Sequence, residues 1–111
     1  MHPWLQRKEL VNYCKQHNII VQAYSPLAKA TQFNDVTLKN ISIKLSLSPA
    51  QILIAYSIHK GFVTLPKSIN KNRQPENLNS IHIKLSDEDI AALGIYYINI
   101  SSLYTHIRYQ L

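Results

Sequence analysis

Two short apolar runs, IIVQAY at Ile19–Tyr24 and FVTL at Phe62–Leu65, constrain this chain more than any other feature. Both favour β-branched and aromatic residues, and both are too short for helices. Each is halted by a proline, Pro26 after Ser25 in the first case and Pro66 in the second. Proline has no N–H to donate to a continuing ladder. Between the runs, and after the second, hydrophobic residues recur at helical spacing. Strands separated by helices pair in parallel through helical crossovers. Yet parallel sheets are normally covered on both faces, and two strands alone cannot build one. The pattern therefore predicts a piece of a larger α/β architecture.

The helices are marked by their ends. Leu5–His17 places Leu10, Val11 and Cys14 at helical spacing, with Arg7, Lys8, Lys15 and Gln16 on other sides. Asn18 suits a left-handed cap after it. Cys14, on the apolar side, reads as a small core residue rather than a nucleophile. Asp35 can cap a helix in which Leu38, Ile41 and Leu45 recur. Ser48, Pro49 and Gln51 form a stronger start: a capping serine, proline at the first helical position, and glutamine three residues on. That helix should run through Ile52, Leu53 and Tyr56 to Gly61. Pro75 is harmless only if the next helix begins near Asn72, which puts it in the first turn. Ser86 and Asp89 make another capping pair, for a helix ending at Gly94.

With 111 residues, of which 46% are hydrophobic, the chain can form one small domain with a core. Lys plus Arg number 12 against 6 acidic residues, a net charge of +6 that favours anionic partners or a solvated basic surface. The charges do not form a basic face interleaved with aromatics, so nucleic acid is not an expected partner. Cys14 is the only cysteine, which excludes an intrachain disulfide and suggests a reducing, cytoplasmic setting. The N-terminal stretch MHPWLQRKEL lacks the apolar centre of a secretory signal. Ile90–Ile107 contains no charged residue, but Gly94, Asn99, Ser101 and Ser102 argue against a membrane span. His17, His59, His82 and His106 show no metal-ligand spacing, and no metal is expected.

The stretch FVTLPKSINKNRQPEN, Phe62–Asn77, carries Lys67, Ser68, Arg73 and Asn77 directly after a strand end. A plain surface turn needs no cations. Cations and small polar groups at a strand end, ahead of a helix start, suit an anion. A solvated basic loop is the alternative.

Several segments together resemble a known family: HPWLQRKELVNYCKQHNIIVQAYSPL, SPAQILIAYSIHKGFVTLPKS, the trio Arg73, Glu76 and Asn77, and LSDEDIAAL. The chain resembles the C-terminal third of the aldo-keto reductases, NADP(H)-dependent carbonyl reductases built on a (β/α)8 barrel. The resemblance covers Met1–Leu93 and leaves 94–111 as a divergent tail. It implies an α/β fold that is a C-terminal fragment of a TIM barrel, with Ile19–Tyr24 as strand seven and Phe62–Leu65 as strand eight. Phosphate sites in such barrels lie in the loops after those strands.

The resemblance also implies roles. Tyr24 would stack on the nicotinamide, a core aromatic being the alternative. Ser25 and Leu27 would lie along the pyrophosphate, although Ser25 equally suits a turn before Pro26. Lys67, Ser68 and Arg73 would hold the 2′-phosphate of NADP(H), and Glu76 and Asn77 would contact the adenine. The partners implied are the nicotinamide dinucleotide and, in a complete barrel, a small carbonyl substrate. The family's catalytic Asp, Tyr, Lys and His precede the matched region, so no catalytic residue is assigned. His2 belongs to a later His-Pro pair. The alternative expectation is a catalytically inactive, truncated product that binds nucleotide weakly or pairs with an intact relative.

Overall fold

A computed structural model describes residues 1–95 of the chain. The expected tail lies outside them from residue 96 onward, as does most of the uncharged stretch ending at Ile107. In chain order the elements are α1 (Lys8–Gln16), β1 (Gln22–Ala23), α2 (Val36–Leu45), α3 (Pro49–His59), β2 (Val63–Thr64), α4 (Arg73–Asn79) and α5 (Asp87–Gly94). β1 and β2 pair in parallel, Gln22 opposite Val63 and Ala23 opposite Thr64. The helices between them form the crossover, as the alternation of runs requires.

The caps follow the sequence closely. Asp35 accepts a hydrogen bond from the Leu38 N–H at 2.9 Å. Ser48 and Gln51 make a reciprocal box: the Gln51 N–H donates to Ser48 Oγ at 3.3 Å and the Ser48 N–H to Gln51 Oε1 at 3.1 Å. Ser86 accepts from the Asp89 N–H at 3.2 Å. After α1, Asn18 adopts a left-handed φ of 54°. The Ile19 N–H then reaches back to the Cys14 carbonyl, closing the helix end. Gly61 does the same after α3 with φ 78°, and the Phe62 N–H bonds to the Ser57 carbonyl at 3.1 Å. Here glycine avoids the steric cost of a left-handed residue.

α3 is the centre of the core. Ile52 through Ser57 are all buried, so this helix meets neighbours on every side. Trp4, Leu38, Ile41, Leu85, Ile90 and Leu93 complete the cluster around Ile52, Leu53, Ala55 and Tyr56. Burial of this kind is the main favourable term in folding. Gln6 ties the chain's beginning to the end of α5, donating to the Pro3 carbonyl at 2.7 Å and the Gly94 carbonyl at 3.0 Å.

Several expectations need correction. The run Ile19–Tyr24, whose composition reads as a short buried strand, is paired only at Gln22 and Ala23, and Ile20 is 76% exposed. Likewise only Val63 and Thr64 of Phe62–Leu65 are paired. A strand is regular only where a neighbour bonds to it, and each run here has one neighbour. Leu10 is 60% exposed, so the buried side of α1 rests on Val11, with Cys14 half-buried. α1 also starts at Lys8 rather than Leu5, because Leu5 closes a turn on the His2 carbonyl at 2.9 Å and Arg7 is left-handed. Finally, Asn72 sits at the start of α4 but its side chain makes no cap. No single helix among the described residues is long and apolar enough to cross a membrane.

Candidate functional site

The parallel pairing of β1 and β2 brings their following loops to the same end of the sheet. Between those loops lies a cleft of about 730 Å³. All eight residues expected at the site line it: Tyr24, Ser25, Leu27, Lys67, Ser68, Arg73, Glu76 and Asn77. They come from two segments separated by the whole α2–α3 crossover.

The first wall is the turn after β1. Tyr24 is 80% exposed at the mouth of the cleft. Ser25 is left-handed at φ 49°, and its carbonyl accepts the Ala28 N–H at 3.0 Å, so the turn geometry is also real. Ala28, Lys29 and Ala30 follow with φ of 48°, 54° and 60°. None is glycine, and each left-handed L-residue costs roughly 1–2 kcal/mol. The turn is held regardless. The Ala30 N–H bonds to the Leu27 carbonyl at 2.8 Å, and the Thr31 hydroxyl to the Ala28 carbonyl at 2.7 Å.

The second wall runs from Leu65 to Asn77. Side chains organise its loop. Ser68 Oγ accepts the Asn70 N–H at 3.1 Å, Asn70 Oδ1 accepts the Asn72 N–H at 2.9 Å, and Gln74 Nε2 donates to the Ser68 carbonyl at 3.1 Å. Arg73 is the first residue of α4 and Pro75 the third, where its missing N–H costs nothing. α4 has only seven residues, so the expected dipole contribution to anion binding is small. Asn77 is buried and Glu76 half-buried, whereas Lys67 and Arg73 are exposed.

Electrostatically the cleft is cationic. Lys29, Lys67 and Arg73 line it against one carboxylate, Glu76. Among the described residues the ion pair found is Lys44–Asp89, and it lies elsewhere. Exposed cations without an internal carboxylate are available to an anionic ligand. Sequence reasoning missed Lys29, Phe33, Pro49, Ala50 and Leu65, which also line the cleft. Lys29, two residues beyond Leu27, was within reach of the same strand-end argument.

Outside this cleft, His2 is buried and its Nδ1 has no hydrogen-bond partner. Burial pushes its imidazole down to about 4. A smaller cleft of about 230 Å³ beside it is lined by Lys8, Lys15 and Lys60. Desolvation, and then the charges of Lys8 and Lys15, lower the Lys60 ammonium. Burial pushes the Tyr56 hydroxyl up to about 12, which makes it a poor proton donor at neutral pH. Among the described residues no three His, Cys, Asp or Glu side chains gather so as to hold a metal ion.

Comparison with known proteins fits this geometry. Residues 1–97 match the Aldo/keto reductase family. The chain is 41% identical over 93 residues to the 9,11-endoperoxide prostaglandin H2 reductase of Trypanosoma cruzi, covering 81% of this chain and 33% of that protein. It is 38% identical over 89 residues to the glyoxal reductase of Bacillus subtilis, covering 80% of this chain and 32% of that one. A crystal structure of a Gox0644 mutant in complex with NADPH superposes with a TM-score of 0.84 at 30% identity, covering 89% of this chain and 36% of that chain. An aldo/keto reductase structure from Brucella melitensis gives a TM-score of 0.79 at 35% identity, covering 85% of this chain and 36% of that one. The chain thus spans about a third of the length of the curated relatives it matches.

Proposed function

The chain belongs to the aldo/keto reductase family, and we propose that its large cleft is the NADP(H)-binding end of a reductase acting on a small carbonyl substrate. The observation that carries this reading is the convergence in one cleft of an exposed aromatic ring, Tyr24, with Lys67, Ser68 and Arg73. A dinucleotide offers the matching parts: a flat nicotinamide ring, phosphates and an adenine. The cleft volume of about 730 Å³ lies in the range of small-molecule sites.

In this reading Tyr24 stacks on the nicotinamide and fixes which face is presented. Ser25 and Leu27 line the path of the pyrophosphate. Arg73 grips the 2′-phosphate through its planar fork, Lys67 adds a point charge, and Ser68 a short hydroxyl. Glu76 and Asn77 border the adenine. The cofactor, when bound, supplies the hydride; these residues bind and orient it. A chain in which β1 and β2 are the seventh and eighth strands of a barrel accounts for their open edges and for the exposed Ile20 and Leu65. Residues 1–93 are then the C-terminal third of that barrel and 94–111 its divergent tail, in a cytoplasmic enzyme.

The 111-residue chain by itself does not reduce carbonyls in this reading. Among the described tyrosines, Tyr56 is buried with its hydroxyl pushed up, Tyr13 stacks on His17 at 4.1 Å outside the cleft, and Tyr24 is the one given to the nicotinamide. A complete barrel needs about 250 residues. Titrating the purified chain with NADPH, followed by nucleotide fluorescence, tests the cofactor assignment. Saturable binding supports it, and no binding up to millimolar nucleotide sinks it. NADPH-dependent turnover of a simple aldehyde by the chain alone would contradict the second part.

A further inference from the structure

The smaller cleft, of about 230 Å³, shares no lining residue with the larger one. α1 gives it Lys8, Val11, Asn12 and Lys15, positions i, i+3, i+4 and i+7, which fall on one face of a helix. Lys60, the residue that ends α3, approaches from the other side. Its Nζ lies 5.5 Å from the centre of the Tyr56 ring. Three ammonium groups thus gather in one small space, and among the described residues no carboxylate lines it. The charges of Lys8 and Lys15 act on Lys60 strongly enough to lower its ammonium, after desolvation. Like charges held together raise one another's energy, and an anion placed among them removes that cost.

His2 is an independent observation at the same place. It lines this cleft and is only 7% exposed, yet its Nδ1 finds no hydrogen-bond partner. Buried polar atoms are nearly always bonded, so an unbonded one marks a place for a ligand atom. With its imidazole pushed down to about 4, the ring is neutral at pH 7, and the tautomer protonated at Nδ1 can donate one bond. The Met1 amine, which also lines the cleft region, is already engaged with the Tyr24 carbonyl at 2.7 Å. The space is smaller than the range of drug-sized ligand sites. A phosphate group suits it: compact, with about two negative charges and several acceptor oxygens to share among three lysines and an imidazole.

We propose that the cleft between α1 and α3 is a second anion site, in which Lys8, Lys15 and Lys60 hold a phosphate or phosphomonoester dianion and His2 donates to it from Nδ1. This site stands apart from the NADP(H) reading of the larger cleft and does not depend on it.

The test is titration of the full chain with inorganic phosphate and with methyl phosphate near neutral pH. Ionic strength is held constant with chloride, so that general screening does not change. Nuclear magnetic resonance of the His2 ring and the Lys60 side chain reads this cleft separately from Lys67 and Arg73. Both signals should move saturably, and the tighter of the two probes tells whether the free ion or an ester is preferred. Lys60→Gln and Lys15→Gln should each weaken binding by roughly five- to tenfold, the loss expected of one charge-assisted contact. Lys39→Gln, an exposed change on α2 outside both clefts, should leave binding as it was. Circular dichroism confirms the folds, and if Lys60→Gln unfolds, Lys15→Gln on the exposed side of α1 carries the test. Shifts that never saturate, or an equal loss in Lys39→Gln, would overturn the proposal, leaving only a general attraction of anions to a chain of charge +6. Saturable shifts confined to Lys67 and Arg73 would overturn it by placing the phosphate in the larger cleft.

Discussion

Lys44, near the end of α2, donates to Asp89 in the first turn of α5 across 3.0 Å. The partners are 45 residues apart in sequence, and Asp89 is only 8% exposed. Burial alone would raise the Asp89 carboxyl. The hydrogen bonds from Lys44 and Ser86 outweigh it and hold the group below its ordinary value. A carboxylate lowered on folding stabilises the fold above its unfolded pKa, and that contribution is lost as pH falls through the folded one. Lys44→Met should therefore cost about 1–3 kcal/mol at neutral pH, because it strands a nearly buried carboxylate. It should also flatten the loss of stability below pH 4. Urea melts between pH 3 and pH 7 check both effects, and a variant as stable as the parent would contradict them.

His2 gives a second pH dependence, in a different window. Its imidazole is held near 4 in the fold, against 6.5 in the free side chain. Between those values the unfolded chain binds the proton and the folded chain does not, so stability should fall as pH drops from 6.5 to 4. The neighbouring Lys8, Lys15 and Lys60 offer no negative charge to soften this. Comparing thermal unfolding of the parent chain and His2→Gln across that window isolates the effect. The substitution should remove the slope, and an unchanged slope would assign it to another group.

Arg73→Ala should weaken NADPH by roughly ten- to a hundredfold if the guanidinium makes a bidentate phosphate contact, and leave NADH nearly unaffected. The ratio of the two dissociation constants is the readout. Equal losses for both nucleotides would remove the 2′-phosphate assignment.

Leu53 on α3 is fully buried and Leu65 beyond β2 is half-exposed. Leu53→Ala should cost about 2–5 kcal/mol, the range for large-to-small changes in a packed core. A small domain has only about 5–15 kcal/mol in total. Leu65→Ala should change stability little. Chemical denaturation distinguishes the two, and similar losses would mean that the core is not centred on α3.

Ser48→Ala should destabilise the fold by about 1 kcal/mol through loss of the reciprocal cap. Ser48→Asp should recover most of it, since aspartate accepts the same Gln51 N–H. A neutral Ser48→Ala would show that the first turn of α3 is held by Pro49 and packing alone.

The parts of the fold legible in the sequence were the ones set within a few residues. Asp35, Ser48 with Gln51, Ser86 with Asp89, Asn18 and Gly61 each bond to backbone within a turn of themselves, so spacing alone revealed them. Strand extent was not legible in this way. Ile19 and Ile20 have the composition of a buried strand, but pairing depends on neighbours far off in sequence, and β1 has one. The exposure of Leu10 is of the same kind, because periodicity names an apolar stripe but not how much of it is covered. The second wall was legible in its own residues, because Lys67, Ser68 and Arg73 follow a strand end, whereas Tyr24, Ser25 and Leu27 on the first were named only through the family resemblance. Lys29, two residues beyond Leu27, was open to the same strand-end argument, but the three left-handed residues that hold it left no glycine to mark them.

The two-stranded sheet has a consequence for how this chain behaves in concentrated solution. Among the described residues each of its strands has a neighbour on one side only, with Ile20 and Ile69 exposed nearby. Such an edge templates the addition of any extended segment, whether from a proper companion or from another molecule like itself. Self-association of the purified chain should therefore rise with its concentration.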